Sequence, residues 1–308
     1  MKRMMTVLVV LGALFSGSQA LMAQIASPSL FPGGFNSTNP AVIQWGAPSR
    51  VGLIYGQEEV TPAAGPTATG ERTIAGARLV GDFAAIAVTR QTGASNSNAQ
   101  NLKQELTQAG LSFKPFDWLA VGGSYLNIIQ SDLDNSKTGV EFEVSQTTMG
   151  ASMKMGDMFY LGVGQSEDKA KFDLLILGTT VLSEKTGRKS RGYGVGLLAG
   201  GNVKVRLEAA KTEAEPLVIL GATVGHQTGS RYAGELAIGS LVFFAEGAGN
   251  TDLSAKEEEK NQTIGIGWVP QSGLSAGVAV FQGQKTDTVT GNIIEESKVQ
   301  FMTVSFLF

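Results

Sequence analysis

The last stretch of the chain alternates between apolar and mixed positions. Residues 298–308 read KVQFMTVSFLF, and successive side chains of an extended strand point to opposite faces. The apolar face of such a strand carries Met302, Val304, Phe306 and Phe308. A tilted bilayer crossing needs a strand of about ten residues, and only a closed barrel places strands in lipid without exposing unpaired backbone groups. The pattern therefore predicts the closing strand of a transmembrane barrel, with the edge strand of a soluble sandwich as the alternative.

Similar alternating runs, separated by turn residues, recur along most of the chain. They predict an all-β, antiparallel transmembrane β-barrel of about fourteen strands, in a range of about twelve to sixteen. The predicted strands are 50–58, 70–79, 83–91, 101–113, 118–131, 139–154, 158–168, 189–199, 203–213, 229–239, 241–249, 261–269, 273–284 and 297–308.

The clearest predicted hairpin joins 189–199 to 203–213 through Gly200-Gly201-Asn202. In its second arm apolar residues alternate with Lys204, Arg206 and Glu208. A ladder of charges opposite an apolar ladder does not suit a dry core between two sheets. It suits a strand that lies between lipid and a wet lumen.

Connections of two lengths alternate between these strands. The short ones should face the periplasm, together with both chain ends, and the polar stretches that begin at 92 and 251 should be long outer loops. Two connections are apolar, at 172–177 and 217–220. They either extend their strands above the membrane or cover the mouth as a surface for an apolar ligand.

The first residues predict export from the cytoplasm. Lys2 and Arg3 precede an apolar run over 5–15, followed by small residues, as in a secretory signal peptide. We assign residues 1–23 to the signal peptide, 24–49 to a small irregular plug and 50–308 to the barrel. The predicted location is the cell outer membrane.

Composition argues against several classes of protein. The chain has no Cys, one His and a formal net charge of −3, which predicts no metal or other cofactor and no nucleic-acid partner. Glycine is abundant, with 40 residues, nearly twice the usual share of about 7%. His226 and Ser230 are the only candidates for a serine-type site, and the tighter signature of outer-membrane phospholipases is not reproduced around them. We therefore predict a protein that is not an enzyme.

Alternation also predicts which side chains face the lumen. The apolar candidates would suit a hydrophobic passenger, whereas the ionisable ones would suit a water channel or a plug held by polar contacts. The candidates are Phe83, Phe244, Phe281, Arg72, Arg206, Glu208, Arg231, Glu235 and Glu246. Inward glycines at 192, 194, 196, 265 and 267 would either admit a plug backbone or relieve crowding.

Residues 35–56, FNSTNPAVIQWGAPSRVGLIYG, resemble the start of the outer-membrane long-chain fatty-acid transporter family (FadL type). More distantly, the terminal Phe308 resembles the last residue of bacterial outer-membrane β-barrels in general. The resemblance implies that Asn39, Pro40 and Ala41 belong to a plug inside a fourteen-stranded barrel. It also implies that Phe308 is part of the signal read by the barrel-insertion machinery.

The function expected from this resemblance is passive uptake of small hydrophobic molecules such as long-chain fatty acids. The expected partners are outer-membrane lipids, lipopolysaccharide, the insertion machinery and the hydrophobic ligand. Two alternatives stay open from the residues alone. One is a general diffusion porin with a polar lumen, and the other is a surface or adhesion barrel without flux.

Overall fold

A computed structural model describes residues 39–45, 49–63, 67–97, 100–133, 138–219, 222–224 and 226–308. These parts of the chain contain one 3-10 helix, Pro40–Trp45, and sixteen strands. The strands are β1 (Arg50–Pro62), β2 (Ala68–Val80), β3 (Ala84–Ser97), β4 (Gln100–Phe116), β5 (Leu119–Leu133), β6 (Gly139–Met155), β7 (Phe159–Ile176), β8 (Thr179–Gly200), β9 (Val203–Ala214), β10 (Leu217–Ile219), β11 (Ala222–Val224), β12 (Gln227–Ile238), β13 (Leu241–Asp252), β14 (Glu257–Trp268), β15 (Gly273–Asp287) and β16 (Ile293–Leu307).

Fourteen of these strands form one closed antiparallel barrel. Each pairs with its neighbour in the chain, except that β9 pairs with β12 and the short β10 and β11 form a separate two-stranded hairpin. The barrel closes between β1 and β16, from Arg50 opposite Leu307 to Pro62 opposite Glu295. The predicted fold class and strand number are confirmed.

We call the end of the barrel where β1 begins and β16 stops the proximal end, and the opposite end the distal end. Strand bounds agree closely with the prediction at the proximal end and differ at the distal end. The long loops predicted from 92 and 251 are wrong in extent, because 92–97 continues β3 and 257–260 belongs to β14. These polar residues pair with the neighbouring strands beyond the apolar zone.

The two apolar connections behave differently. Residues 172–176 extend β7, which is paired with β8 up to Ile176 opposite Thr179, so the strand extension is confirmed there. Leu177 and Gly178 form the tip of this hairpin, both with positive φ, 51° and 76°. Residues 217–219 instead form β10, which pairs only with β11 in its sheet.

The wall alternates between a buried inner face and an exposed outer face. In β16 the buried residues are Val299, Phe301, Thr303, Ser305 and Leu307. The intervening Met302, Val304, Phe306 and Phe308 are 58%, 48%, 52% and 58% exposed, and the exposed residues become polar at Gln300, Lys298 and Glu296. A closed barrel with such an apolar outer band is a transmembrane barrel.

Aromatic side chains lie on both borders of the apolar band. Trp268 and Phe159 are exposed beside proximal turns, and Tyr125, Tyr193 and Tyr232 are exposed farther toward the distal end. This is the arrangement of the aromatic girdles of transmembrane barrels. No helix in the described ranges is long and apolar enough to cross a bilayer.

Candidate functional site: the barrel lumen

The 3-10 helix Pro40–Trp45 lies against the inner face of the wall near the proximal end. The side-chain amide of Asn39 donates to the carbonyl oxygen of Ala151 in β6 over 2.9 Å, and its Oδ1 accepts the backbone N–H of Ala41 over 3.1 Å. Asn39, Pro40 and Ala41 are all buried. The Asn side chain therefore both caps the helix and fixes it to the barrel.

The other end of the helix is attached by two further side chains. Gln44 Nε2 donates to the carbonyl oxygen of Gly81 over 2.7 Å, and Trp45 Nε1 donates to Ser152 Oγ over 2.9 Å. The Trp45 ring also meets the edge of Tyr160 at a centroid distance of 6.3 Å. These contacts hold the helix against the proximal part of β2 to β7.

Three glycines on the wall make room for this helix. A Cβ at Gly150 would lie 2.0 Å from Asn39 Oδ1, one at Gly122 would lie 2.9 Å from the Ala41 nitrogen, and one at Gly110 would lie 3.0 Å from Ile43 Cδ1. The sequence analysis missed these glycines. The available signal was that Gly110, Gly122 and Gly150 occupy inward positions on three successive strands.

The remainder of the predicted plug, 24–38 and 46–48, lies outside the described residues, as does the predicted signal peptide at 1–23. The bounds of both segments stay predictions.

A network of ion pairs lines the opposite side of the lumen, on β9, β12 and β13. Arg206 donates to Glu235 over 2.8 Å and to Glu208 over 2.9 Å. Arg231 donates to Glu208 over 3.0 Å and, through Nε, to Glu246 over 2.6 Å. All five side chains are buried. Glu208 accepts from both arginines and so joins the two halves of the network.

An apolar patch borders this network on the inner face of β13, β15, β16, β1 and β2. We call it the mid-lumen patch; it consists of Ile54, Ile74, Phe244, Ala279, Phe281, Val299 and Phe301. Its rings lie over glycine backbones: a Cβ at Gly265 would lie 2.4 Å from Phe244 Cε1, and one at Gly56 would lie 2.7 Å from Phe301 Cδ1. Gly265 therefore makes room for the Phe244 ring of the wall itself. Of the two roles considered for the inward glycines, this favours relief of crowding over admission of a plug backbone.

A second apolar patch lies at the distal end, on the inner face of β5, β6 and β7. We call it the distal patch; it consists of Phe142, Val144, Ala170 and Phe172, with Ile128, Val140 and Leu174 against it. Below it Asp168 accepts hydrogen bonds from Arg188 Nε over 2.8 Å and from Gln146 over 2.7 Å. Apolar side chains thus face inward both at the distal opening and in the middle of the barrel.

Inward acidic and basic side chains lie distal to the mid-lumen patch. Lys285 pairs with Glu257 over 2.5 Å, and Arg72 pairs with Glu58 over 3.0 Å. Glu295 lies opposite Lys285 in the register of β15 and β16. Burial raises the pKa of the Glu295 carboxyl, although Lys285 acts in the other direction.

The structure brings most of the predicted lumen residues together and displaces one. Phe244 and Phe281 belong to the mid-lumen patch, and Arg206, Glu208, Arg231, Glu235 and Glu246 form the ion-pair network. The assignment of Phe83 to the lumen is wrong, because Phe83 is 62% exposed and its ring lies 6.1 Å from the exposed Phe113. Strand β3 begins only at Ala84, so alternation does not extend to Phe83.

Several buried inward charges were not predicted from the sequence. Arg50 and Arg78 face each other across β1 and β2 at the proximal end and are each 2% exposed. Asp168, Arg188 and Lys285 are further buried charges of this kind. The two residues considered for a serine-type site, His226 and Ser230, make no hydrogen bond with each other among the described contacts. The backbone N–H of His226 donates to Ser254 Oγ over 3.4 Å.

No protein-family model matches the sequence, and no curated protein matches it. Solved structures with similar folds include the CymD monoaromatic hydrocarbon channel, with a TM-score of 0.60 at 10% identity over 88% of this chain and 91% of that one. A Pseudomonas aeruginosa FadL homologue has a TM-score of 0.57 at 10% identity, over 93% and 99% of the two chains. The Pseudomonas putida toluene transporter TodX has a TM-score of 0.54 at 12% identity, over 94% and 96%. The chain therefore has the barrel fold of these transporters.

Proposed function

We propose that this protein is an outer-membrane channel for passive uptake of small hydrophobic molecules. The observation that carries the proposal is the presence of two apolar patches on the inner face of the wall, the distal patch and the mid-lumen patch. The inner face of a water-filled pore is polar. Apolar side chains there suit cargo that leaves water and moves between apolar surfaces.

The structural neighbours support a hydrophobic cargo. CymD is described as a monoaromatic hydrocarbon channel and TodX as a toluene transporter. Both an aromatic hydrocarbon and the tail of a long-chain fatty acid would gain from contact with Phe142, Phe172, Phe244 and Phe281. The cargo class is therefore small hydrophobic molecules, with long-chain fatty acids as one example.

The orientation follows from the strand count and the predicted signal peptide. An even number of strands places both ends of the barrel sequence on one side of the membrane, which in exported barrels is the periplasm. The distal patch would then face the outside and meet cargo first. Phe308, exposed at the end of β16 with its N–H bonded to the carbonyl oxygen of Ser49 over 3.0 Å, is the proposed contact for the insertion machinery.

Passive movement needs only a concentration gradient and a path of comparable affinity along the barrel. In this scheme cargo binds the distal patch, crosses the barrel to the mid-lumen patch, and leaves past the 3-10 helix. The ion-pair network would act as a rigid polar wall beside the path, since its charges are satisfied by each other rather than by water or cargo.

The charged lumen residues would equally be expected in a general porin, so the test must separate the two functions. The full chain is reconstituted into liposomes, and entry of toluene, a long-chain fatty acid and a small sugar is measured. Phe281→Arg is compared with Gln282→Arg, which changes the next, outward-facing residue. We expect Phe281→Arg alone to reduce hydrophobic uptake about tenfold, because a buried charge in an apolar path disfavours cargo binding. Sugar entry with unchanged hydrophobic uptake in Phe281→Arg would overturn the proposal in favour of a porin.

A further inference from the structure

A groove of about 740 Å³ runs along the outer surface of the wall, across β8, β9, β12, β13 and β14. Its floor is made of small outward residues: Ala209, Gly234, Ala245 and Gly247. The register makes these residues neighbours, since Gly234 faces Ala245, and Tyr232 lies between Ala209 and Gly247. The depression therefore lies where Gly234 and Ala245 meet across β12 and β13, with Ala209 and Gly247 on either side of Tyr232 in the next outward row.

Larger apolar side chains form the sides of this groove. Val195, Leu207, Tyr232 and Ile264 are 54%, 51%, 64% and 63% exposed. The next outward row toward the proximal end is also apolar, with Val205, Leu236, Phe243 and Ile266. The groove thus lies inside the apolar outer band, where an occupant must be apolar.

The space above the floor glycines is not occupied by other side chains of the wall. A Cβ at Gly247 would meet nothing within 4 Å, and one at Gly234 would meet only Leu207 Cδ2 at 3.6 Å. A groove of this kind on the apolar outer face can be filled by a flexible hydrocarbon chain, which adapts its torsions to the shape of the floor.

Just beyond the distal end of the groove, the outer surface becomes polar and carries two lysines. The next outward row contains Tyr193, Lys211, Ser230, Gly249 and Lys260, in that order across the strands. Three strand spacings separate the backbones of Lys211 and Lys260, about 14 Å. Lys260 pairs with Glu258 over 3.1 Å. Lys211 is exposed and forms no ion pair with any described residue. The nearby Glu213 forms an ion pair with Arg191 over 2.7 Å.

We propose that this groove binds one anionic phospholipid, with an acyl chain on the floor and the phosphate at Lys211 and Ser230. The charge of Lys211 and its level in the membrane agree with this occupant, because Lys211 lies where the apolar outer band gives way to polar residues. A lysine at this level attracts anionic lipid head groups. A lipid in this groove lies on the outer surface and does not depend on the cargo that the lumen carries.

A second copy of the chain fits the groove less well. A two-fold symmetric contact brings the same patch of both copies together, so groove would face groove and Lys211 would approach the Lys211 of the other copy. Neither the concave shapes nor the charges would be complementary.

The test measures lipid bound to the full chain after reconstitution in vesicles of phosphatidylglycerol and phosphatidylcholine and extraction into mild detergent. Native mass spectrometry counts the lipids of each kind per barrel. Gly247→Leu fills the groove, and Gly123→Leu is the matched control, since Gly123 is an outward glycine of β5 whose Cβ would approach only Thr148 O at 3.8 Å. We expect Gly247→Leu to lower bound phosphatidylglycerol about fivefold or more, through loss of apolar contact.

A second variant separates the head group from the tail. Lys211→Gln should leave total lipid binding in place and reduce the preference for phosphatidylglycerol over phosphatidylcholine about fivefold. Gly123→Leu should behave as the wild type in both readouts. Equal lipid retention in wild type, Gly247→Leu and Gly123→Leu would overturn the proposal. So would a lipid-free dimer that Gly247→Leu dissociates.

Discussion

Asn39 donates a hydrogen bond of 2.9 Å to the carbonyl oxygen of Ala151, which lies 112 residues further along the chain. This bond ties the segment before the first strand to the inside of the sixth strand. The same side chain accepts the N–H of Ala41, so one amide both shapes the 3-10 helix and attaches it to the wall.

Replacing Asn39 should loosen the helix without opening the barrel. Asn39→Ala removes both hydrogen bonds and leaves the buried N–H of Ala41 without its acceptor, at a cost of about 1–3 kcal/mol. We expect faster hydrogen exchange in 39–45 with unchanged exchange in the barrel strands, measured by mass spectrometry. Gln300→Ala, which shortens an exposed outward amide of β16, is the control. Unchanged exchange in 39–45 would contradict the anchoring role.

A methyl group at Gly150 should displace the same helix. In Gly150→Ala the new Cβ would overlap Asn39 Oδ1, which lies 2.0 Å from that position, so the amide must give up its place on Ala151. The expected result is again faster exchange in 39–45, together with a larger single-channel conductance if the helix narrows the proximal lumen.

Two comparisons test this cause. Gly123→Ala adds a methyl group at an outward glycine of β5 and should have no effect. In the double variant Gly150→Ala with Asn39→Ala the effects should be less than additive, since the side chain that clashes is already absent. Strict additivity would mean that Gly150 acts by another route.

Among the three carboxylates of the ion-pair network, Glu208 should be the most sensitive to replacement. It accepts from both Arg206 and Arg231, at 2.9 Å and 3.0 Å, whereas Glu246 binds only Arg231 among the contacts that the structure describes. Removing one partner of a buried pair costs about 3–5 kcal/mol, because the remaining charge stays buried. We therefore expect Glu208→Ala to lower the urea midpoint of the refolded barrel in lipid more than Glu246→Ala does.

Glu208→Ala and Glu246→Ala are a matched pair, because each removes one glutamate carboxylate from the same inner face. The difference between their urea midpoints therefore measures the effect of the second arginine partner of Glu208. Equal losses of stability would show that the shared position of Glu208 has no special weight. Exposed Glu213→Ala, which removes the partner of Arg191 at the surface, should change the midpoint little.

Glu295 should make the distal hairpin sensitive to pH. Burial raises the pKa of this carboxyl, and Glu259, Glu58 and Glu257 act in the same direction while Lys285 opposes them. The folded state therefore holds the proton more tightly than the unfolded state, so stability present at low pH is lost as the pH rises through the folded pKa. Glu295→Gln should remove this loss and protect the β15–β16 hairpin at neutral pH.

Hydrogen exchange of 285–297, corrected for the intrinsic pH dependence of exchange, measures this effect. The control is Glu296→Gln, since Glu296 is the exposed outward neighbour in the same strand. We expect the wild-type hairpin to gain protection between pH 7 and pH 4.5 relative to Glu295→Gln. An equal gain of protection in the wild type and in Glu295→Gln would rule out Glu295 as the titrating group.

The period-two pattern was sufficient to predict the number of strands and the side on which most residues lie. Met302, Val304, Phe306 and Phe308 face outward as expected, and Phe244, Arg206 and Glu235 face inward. The same pattern was wrong at Phe83, where the strand had not yet begun. Polar composition was misleading at 92–97 and 257–260, where it indicated loops. Polar residues can continue a ladder once the strands have left the apolar zone, because pairing there depends on the neighbouring strand.

Alternation along the chain therefore predicts the direction of each side chain relative to its own strand. Which residues meet across strands depends on the tertiary fold, because register is set by the turns and by the pairing with neighbouring strands, and one strand alone does not contain this information. That register places Gly150 beside Asn39, joins Arg206 to Glu235 across β9 and β12, and aligns Ala209, Gly234, Ala245 and Gly247 into a groove.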